Sequence, residues 1–320
     1  MDERAAHCAP LALTATTVAT ALDGEHVLMA GDSLTRYSFL SLAYFVETGS
    51  WLSPWPPNTR EGSWKASDWI GGDWPSFFFS TTQRLGGGRR AICDCSRGRD
   101  WAPASWRENR YYISPNGRVR LSYLSWFAAI ENGARNLTLL NEPCLERAFR
   151  AAQSDGDAGD VACPQGSCTP GDCAPEGAAA GEFVAPYPRL LPALVAALRP
   201  TVLVLNSGLW PEQPGASEVA AAIREAVAAV APSRLRVLWR TTTREKEKPA
   251  WSANPQEDVF VDTLLRETNG AVEVLDVGAL TAKAAEAALG YAWDTMHFAE
   301  IVYSLFNAAM LACIGGGDCA

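Results

Sequence analysis

The sequence predicts an α/β protein, a three-layer sandwich with a central parallel sheet and helices on both faces. Three observations carry that prediction. Short apolar runs of strand length, Val27–Ala30, Thr201–Leu205, Leu235–Arg240 and Val272–Val277, alternate with segments long enough for helices. The runs are almost wholly apolar instead of alternating with polar residues, as strands covered on both faces are. The intervening segments are long enough to cross over the sheet and return parallel.

The elements follow in order. Residues 1–22 carry no clear pattern and are read as a lead-in of uncertain structure. Strand 26–30 stops at Gly31, and the apolar run Leu34–Glu47 reads as a helix, giving the first β-α unit. From Trp51 to Trp106 the character changes: seven of the twelve tryptophans fall here, among Pro54, Pro56, Pro57 and several glycines. This segment is too irregular for one element and reads as a long insertion. Most of its rings are expected to pack the insertion itself, with one or two facing a sugar. Arg118–Phe127 alternates as a strand does. Residues 144–182, rich in Gly, Ala, Asp, Pro and Cys, read as a surface excursion. Helices are then expected at Tyr187–Leu198, closed by Pro200, at Ser217–Val230, Glu257–Thr268, Thr281–Leu289 and Ala299–Cys313. Residues 23–315 form a single domain on this reading.

Composition narrows the possible functions. The chain has 320 residues, 48% apolar and 20% charged, which suits a globular core and excludes global disorder. A net charge of −9 disfavours a nucleic-acid partner. No apolar run reaches the roughly 18 residues of a membrane span. Nine cysteines, none in a Cys-x-x-Cys pair, favour disulfides and the secretory pathway over a zinc site or free thiols. Against this, Met1–Arg4 is not a basic leader region and Leu11–Leu22 is only mildly apolar, a poor signal peptide. Asn136-Leu137-Thr138 is a glycosylation sequon. No metal cluster, phosphate loop or dinucleotide fingerprint is present in the sequence, so no cofactor is expected.

The chemistry gathers at Gly31-Asp32-Ser33. Ser33 falls where a strand yields to a helix, so its hydroxyl is presented at the carboxyl end of the sheet, near the first helical amides. A serine needs a base to act as a nucleophile. Asp294-Thr295-Met296-His297 supplies an imidazole, with a carboxylate three residues away that can share its face and orient it. The alternative roles are structural: Ser33 as a helix N-cap, Asp294 as the cap of the last helix, His297 as an ordinary histidine. The oxyanion donor expected from the local pattern is the Ser33 amide; Asn206 reads as a turn residue opening Asn206-Ser207-Gly208. Asp32 is expected to hold the loop through backbone hydrogen bonds. Arg36, one turn on, either binds a substrate oxygen or pairs with a carboxylate. Arg240, ending a buried strand, reads as a structural ion-pair partner. His26 lies at the far end of the first strand and takes no catalytic part.

Gly31-Asp32-Ser33-Leu34, with Asp294 and His297 near the end of the chain, resembles the GDSL or SGNH hydrolase superfamily. Arg36, the block Asn206-Ser207-Gly208-Leu209-Trp210 and the block Trp239-Arg240-Thr241-Thr242-Thr243 are similar, more narrowly, to its PC-esterase branch, which includes the trichome-birefringence-like polysaccharide O-acetyltransferases. The likeness runs from Leu22 to Leu311. It implies an SGNH-like sandwich in which Ser33, His297 and Asp294 form an acyl-enzyme. Asn206, Gly31, Asp32, Arg36 and Gly208 would then surround the oxyanion and substrate. The implied reaction is acetyl transfer onto glycan hydroxyls, with O-acetyl ester hydrolysis as the alternative. A non-catalytic carbohydrate-binding protein is the third reading. The implied partners are a glycan or other acyl-ester substrate and an acetyl donor. Plant members carry a cysteine inside the Asp–His block and a Trp-Cys after it. This chain has Ala292-Trp293-Asp294-Thr295-Met296-His297-Phe298, so their disulfide framework is not carried over.

Overall fold

A computed structural model describes residues 13–49, 109–114, 116–126, 136–140, 182–206, 214–232, 234–243, 255–286, 298 and 300–315. Five parallel strands lie at its centre: β1 (His26–Gly31), β3 (Arg120–Ser125), β6 (Val202–Leu205), β7 (Arg236–Arg240) and β8 (Val272–Leu275). Their order is β3-β1-β6-β7-β8, and β2 (Asn109–Ile113) adds an antiparallel edge beside β3. A separate antiparallel pair joins β4 (Asn136–Leu140) to β5 (Glu182–Pro186). The register of β1 sets Gly31 opposite Ser125 on one side and Ala30 opposite Leu205 on the other. Every residue of β1 is buried, the condition that produces an uninterrupted apolar strand.

Alternation along β1 sends side chains into two cores, which makes the layers. Val27 and Met29 pack with α1 (Ala15–Ala21), α2 (Ser33–Thr48) and α7 (Glu300–Ile314), whose contributions include Val18, Phe39, Leu42, Val302 and Phe306. Leu28 and Ala30 face α3 (Tyr187–Leu198), α4 (Ala216–Ala229) and α5 (Pro255–Glu267), through Leu191, Val195, Ile223 and Leu264. Helix α4 shows the cause at residue level. Its buried residues are Val219, Ala220, Ala222, Ile223 and Ala226, of which all but Ala222 recur at helical spacing. Each large aliphatic side chain so buried contributes about 1.5–3 kcal/mol. Among the described residues no helix is long and apolar enough to cross a membrane.

Helix α2 begins and ends for local reasons. Asp32 is its N-cap, the carboxylate accepting from the amides of Leu34 (3.0 Å) and Thr35 (3.3 Å). Gly49, at φ 71°, adopts the left-handed conformation that ends it, donating to the Phe45 carbonyl.

The strands β2, β4 and β5 are absent from the sequence reading, and two helices depart from it. In the lead-in, Thr14 and Thr17 cap each other reciprocally and start α1, whose Val18 is buried. A threonine standing where Glu or Gln usually completes a capping box hides that signal. Helix α6 (Val277–Glu286) starts four residues before the expected Thr281, because the Asp276 carboxylate accepts from the Ala279 amide and the Thr241 hydroxyl accepts from the Gly278 amide. Val277, read as the end of a strand, is the first residue of that helix.

The Trp-rich segment 51–106 and residues 144–181 of the Cys-rich excursion lie outside the described residues. Cys313 is buried and disulfide-bonded, as the cysteine usage favours.

Candidate active site

Numbered along the chain, the five parallel strands stand in the order 2-1-3-4-5. The connections leaving β1 and β6 go to opposite faces, α2 to one and α4 to the other. In such a sheet the crevice at the carboxyl ends of those two strands is the place where ligands bind. Ser33 follows β1 directly and Asn206 follows β6 directly. The Asn206 amide donates to the Ala30 carbonyl at 3.0 Å, which brings the two strand ends side by side.

The Gly31-Asp32-Ser33 turn is pinned from several directions. The Tyr123 hydroxyl lies 3.0 Å from the carbonyls of both Gly31 and Asp32 and can donate to either. The Trp126 amide donates to the Gly31 carbonyl at 2.8 Å, and the Arg36 amide to that of Asp32 at 3.0 Å. Glycine is needed at 31 because Thr35 folds back over it: a Cβ there would stand 2.3 Å from the Thr35 hydroxyl oxygen. Ser33 is half-buried and is the first residue of α2. The cap belongs to Asp32, 1% exposed, so the alternative of Ser33 as N-cap is excluded and the loop-holding role expected of Asp32 is observed. Since the amides of Leu34 and Thr35 are committed to Asp32, the broader expectation of several helical amides at an oxyanion narrows. The Ser33 amide, the donor singled out from the sequence, is not one of those two.

Asn206 is 2% exposed and its side-chain amide donates to the Arg240 carbonyl at 2.9 Å. A carboxamide carries two N–H donors, so this bond orients the group and engages one of them. Arg36 is 1% exposed with its guanidinium 5.3 Å from the Tyr37 ring centre. Arg240 reaches from the end of β7, and its Nη1 donates to the Thr35 hydroxyl at 2.9 Å. Burial pulls its pKa down, and the Asp32 carboxylate opposes that. Among the described residues its hydrogen-bond partner is thus a hydroxyl, with Asp32 acting at longer range, in place of the close ion pair expected.

Asp294, His297 and Gly208 lie outside the described residues. Phe298, bonded to His297 in the chain, is 2% exposed and packs edge-on against Tyr303 (6.2 Å) and Phe306 (5.9 Å) of α7. Tyr303 in turn lies 5.3 Å from the ring of Tyr37. Tyr37 stands one turn beyond Ser33 on α2, at the spacing that shares a helix face. Burial pushes the Tyr303 phenol well above its ordinary value, so it stays neutral.

His26, at the opposite end of β1, is about 16 Å from Gly31 along a strand of this length. It is buried with its Nε2 2.9 Å from the Ser122 hydroxyl, and burial lowers its pKa to about 3. Among the described residues no cluster of His, Cys, Asp and Glu could hold a metal ion. Sequence reasoning missed Tyr123 and Thr35. Thr35 had a readable signal, lying four residues after a glycine at a strand end, but its partner Arg240 is 205 residues away. No family model matches this chain, and no curated protein matches it.

Proposed function

We propose that this chain is a serine-dependent acyl-ester enzyme acting on glycans, of the SGNH type and its PC-esterase branch. The observation that carries the reading is Ser33 at the start of α2, at the carboxyl end of β1, with Asn206 at the neighbouring end of β6. Ser33 Oγ attacks an ester carbonyl while His297 takes its proton and Asp294 orients the imidazole. The tetrahedral oxyanion is held by the Ser33 amide and the second N–H of Asn206. Collapse expels the alcohol, which leaves with the proton from His297, and leaves an acyl group on Ser33. A sugar hydroxyl, deprotonated by the same imidazole, then takes the acyl group. If water takes its place the protein is an O-acetyl esterase. The packing of Phe298 through Tyr303 onto Tyr37 supports this assignment, because it ties the residue next to His297 to the face of α2 that begins at Ser33. The disulfide at Cys313 supports an oxidising, secretory compartment.

The test is mass spectrometry of the intact protein after brief exposure to 4-nitrophenyl acetate. An acetyl adduct mapped to Ser33, absent from Ser33→Ala, is the expected result. Adding candidate polysaccharides then separates transfer to sugar from release as acetate. A folded wild-type protein with neither adduct nor released acetate refutes the reading.

A further inference from the structure

Arg240 is the unusual group in this molecule. It is 2% exposed, its Nη1 is bonded to Thr35, and its Nε and Nη2 have no acceptor among the described residues. A buried cation held by so few bonds is costly, and such groups are kept where they do something else. Its surroundings are specific. The guanidinium lies 5.1 Å from the ring centre of Phe306 and beside a small cavity lined by Thr35, Ser38, Asn307, Met29 and Met310 among others. Asn307 donates to the Ser38 carbonyl at 3.1 Å, while its Oδ1 has no donor.

Thr35 is the point of contact with the site. Its side chain fills the space left by the missing Cβ of Gly31, and its amide is one of the two held by Asp32. A shift of Thr35 therefore moves both sides of Ser33. The backbone carbonyl of Arg240 meanwhile orients Asn206, so one residue at the end of β7 touches the nucleophile's turn and the oxyanion candidate together.

We propose that Arg240 is a positioning residue for Ser33, its guanidinium holding Thr35 against Gly31 and so setting the direction of the Ser33 hydroxyl. This rests on the acyl-enzyme reading above. Arg240 does not touch the substrate; it acts through Thr35.

The experiment measures the rate of acetyl-Ser33 formation from 4-nitrophenyl acetate, over a range of ester concentrations, in wild type, Thr35→Val, Thr35→Ser and Arg240→Met. Near-ultraviolet circular dichroism and thermal melting report the folded fraction. Thr35→Val keeps the shape and removes the acceptor for Nη1, so the rate at saturating ester should fall about tenfold to a hundredfold with the half-saturating concentration little changed. Thr35→Ser returns the hydroxyl and should restore most of the rate. Arg240→Met should match Thr35→Val if it folds; if it does not, the Thr35 pair decides. A folded Thr35→Val that acylates at the wild-type rate overturns the proposal. So does an equal loss in Thr35→Val and Thr35→Ser, which would trace the effect to packing. If wild type forms no adduct at Ser33, the acyl-enzyme reading falls and this proposal with it.

Discussion

Acidification should weaken this fold through one residue far from the candidate site. His26 opens β1 with 3% of its surface exposed, its Nε2 set against the Ser122 hydroxyl and its amide donating to the Thr201 hydroxyl at 2.8 Å. Burial, reinforced by the cation of Arg120, lowers its pKa from 6.5 to about 3. As the pH falls below about 6.5 the unfolded chain binds a proton that the folded chain refuses until the lower value is reached. The stability linked to His26 is thus complete above the unfolded pKa. It is lost between there and about 3 at about 1.4 kcal/mol per pH unit. At about pH 5 the loss is about 2 kcal/mol, and this holds wherever below 5 the folded value lies. The assay is urea unfolding of wild type and His26→Gln at about pH 7.5 and about pH 5, comparing the change with pH in each so that any pH-independent effect of the substitution cancels. Wild type should lose about 2 kcal/mol more than the variant. Equal pH dependence in the two proteins would refute the argument from burial.

Two further predictions concern the turn. Asp32→Ala removes the acceptor for the Leu34 and Thr35 amides and should cost about 1–2 kcal/mol in urea unfolding, with slower acylation of Ser33. Asp32→Asn keeps a cap but removes the charge that supports Arg240, so it should fall between wild type and Asp32→Ala. Gly31→Ala forces a methyl group against Thr35. It should destabilise by about 1–3 kcal/mol, read as a lowered melting temperature, and should abolish acetyl-Ser33 formation even below that temperature.

Much of the architecture follows from local pattern. Apolar runs such as Val202–Leu205, flanked by segments with helical periodicity, specify strands buried on both faces and helices to cover them, because burial of apolar surface depends on composition and spacing alone. The position of Ser33 was legible for the same reason: a glycine ends the strand, and an acidic residue capable of capping starts a helix. Which of Asp32 and Ser33 is the cap was not legible, since both side chains suit the role and the choice is made by Thr35 and Tyr123 packing around the turn. Strand order, the antiparallel edge β2 and the pairing of β4 with β5 depend on contacts between residues distant in the chain. So does the meeting of Arg240 with Thr35, and of Asn206 with Ala30 and with Arg240. Short-range periodicity alone carries the parallel strands, most of the helices, the layers and the end of the sheet at which the serine stands. Only the tertiary structure decided which residues hold that serine in place, because hydrogen bonds between side chains from separate strands and helices leave no periodic trace in the chain.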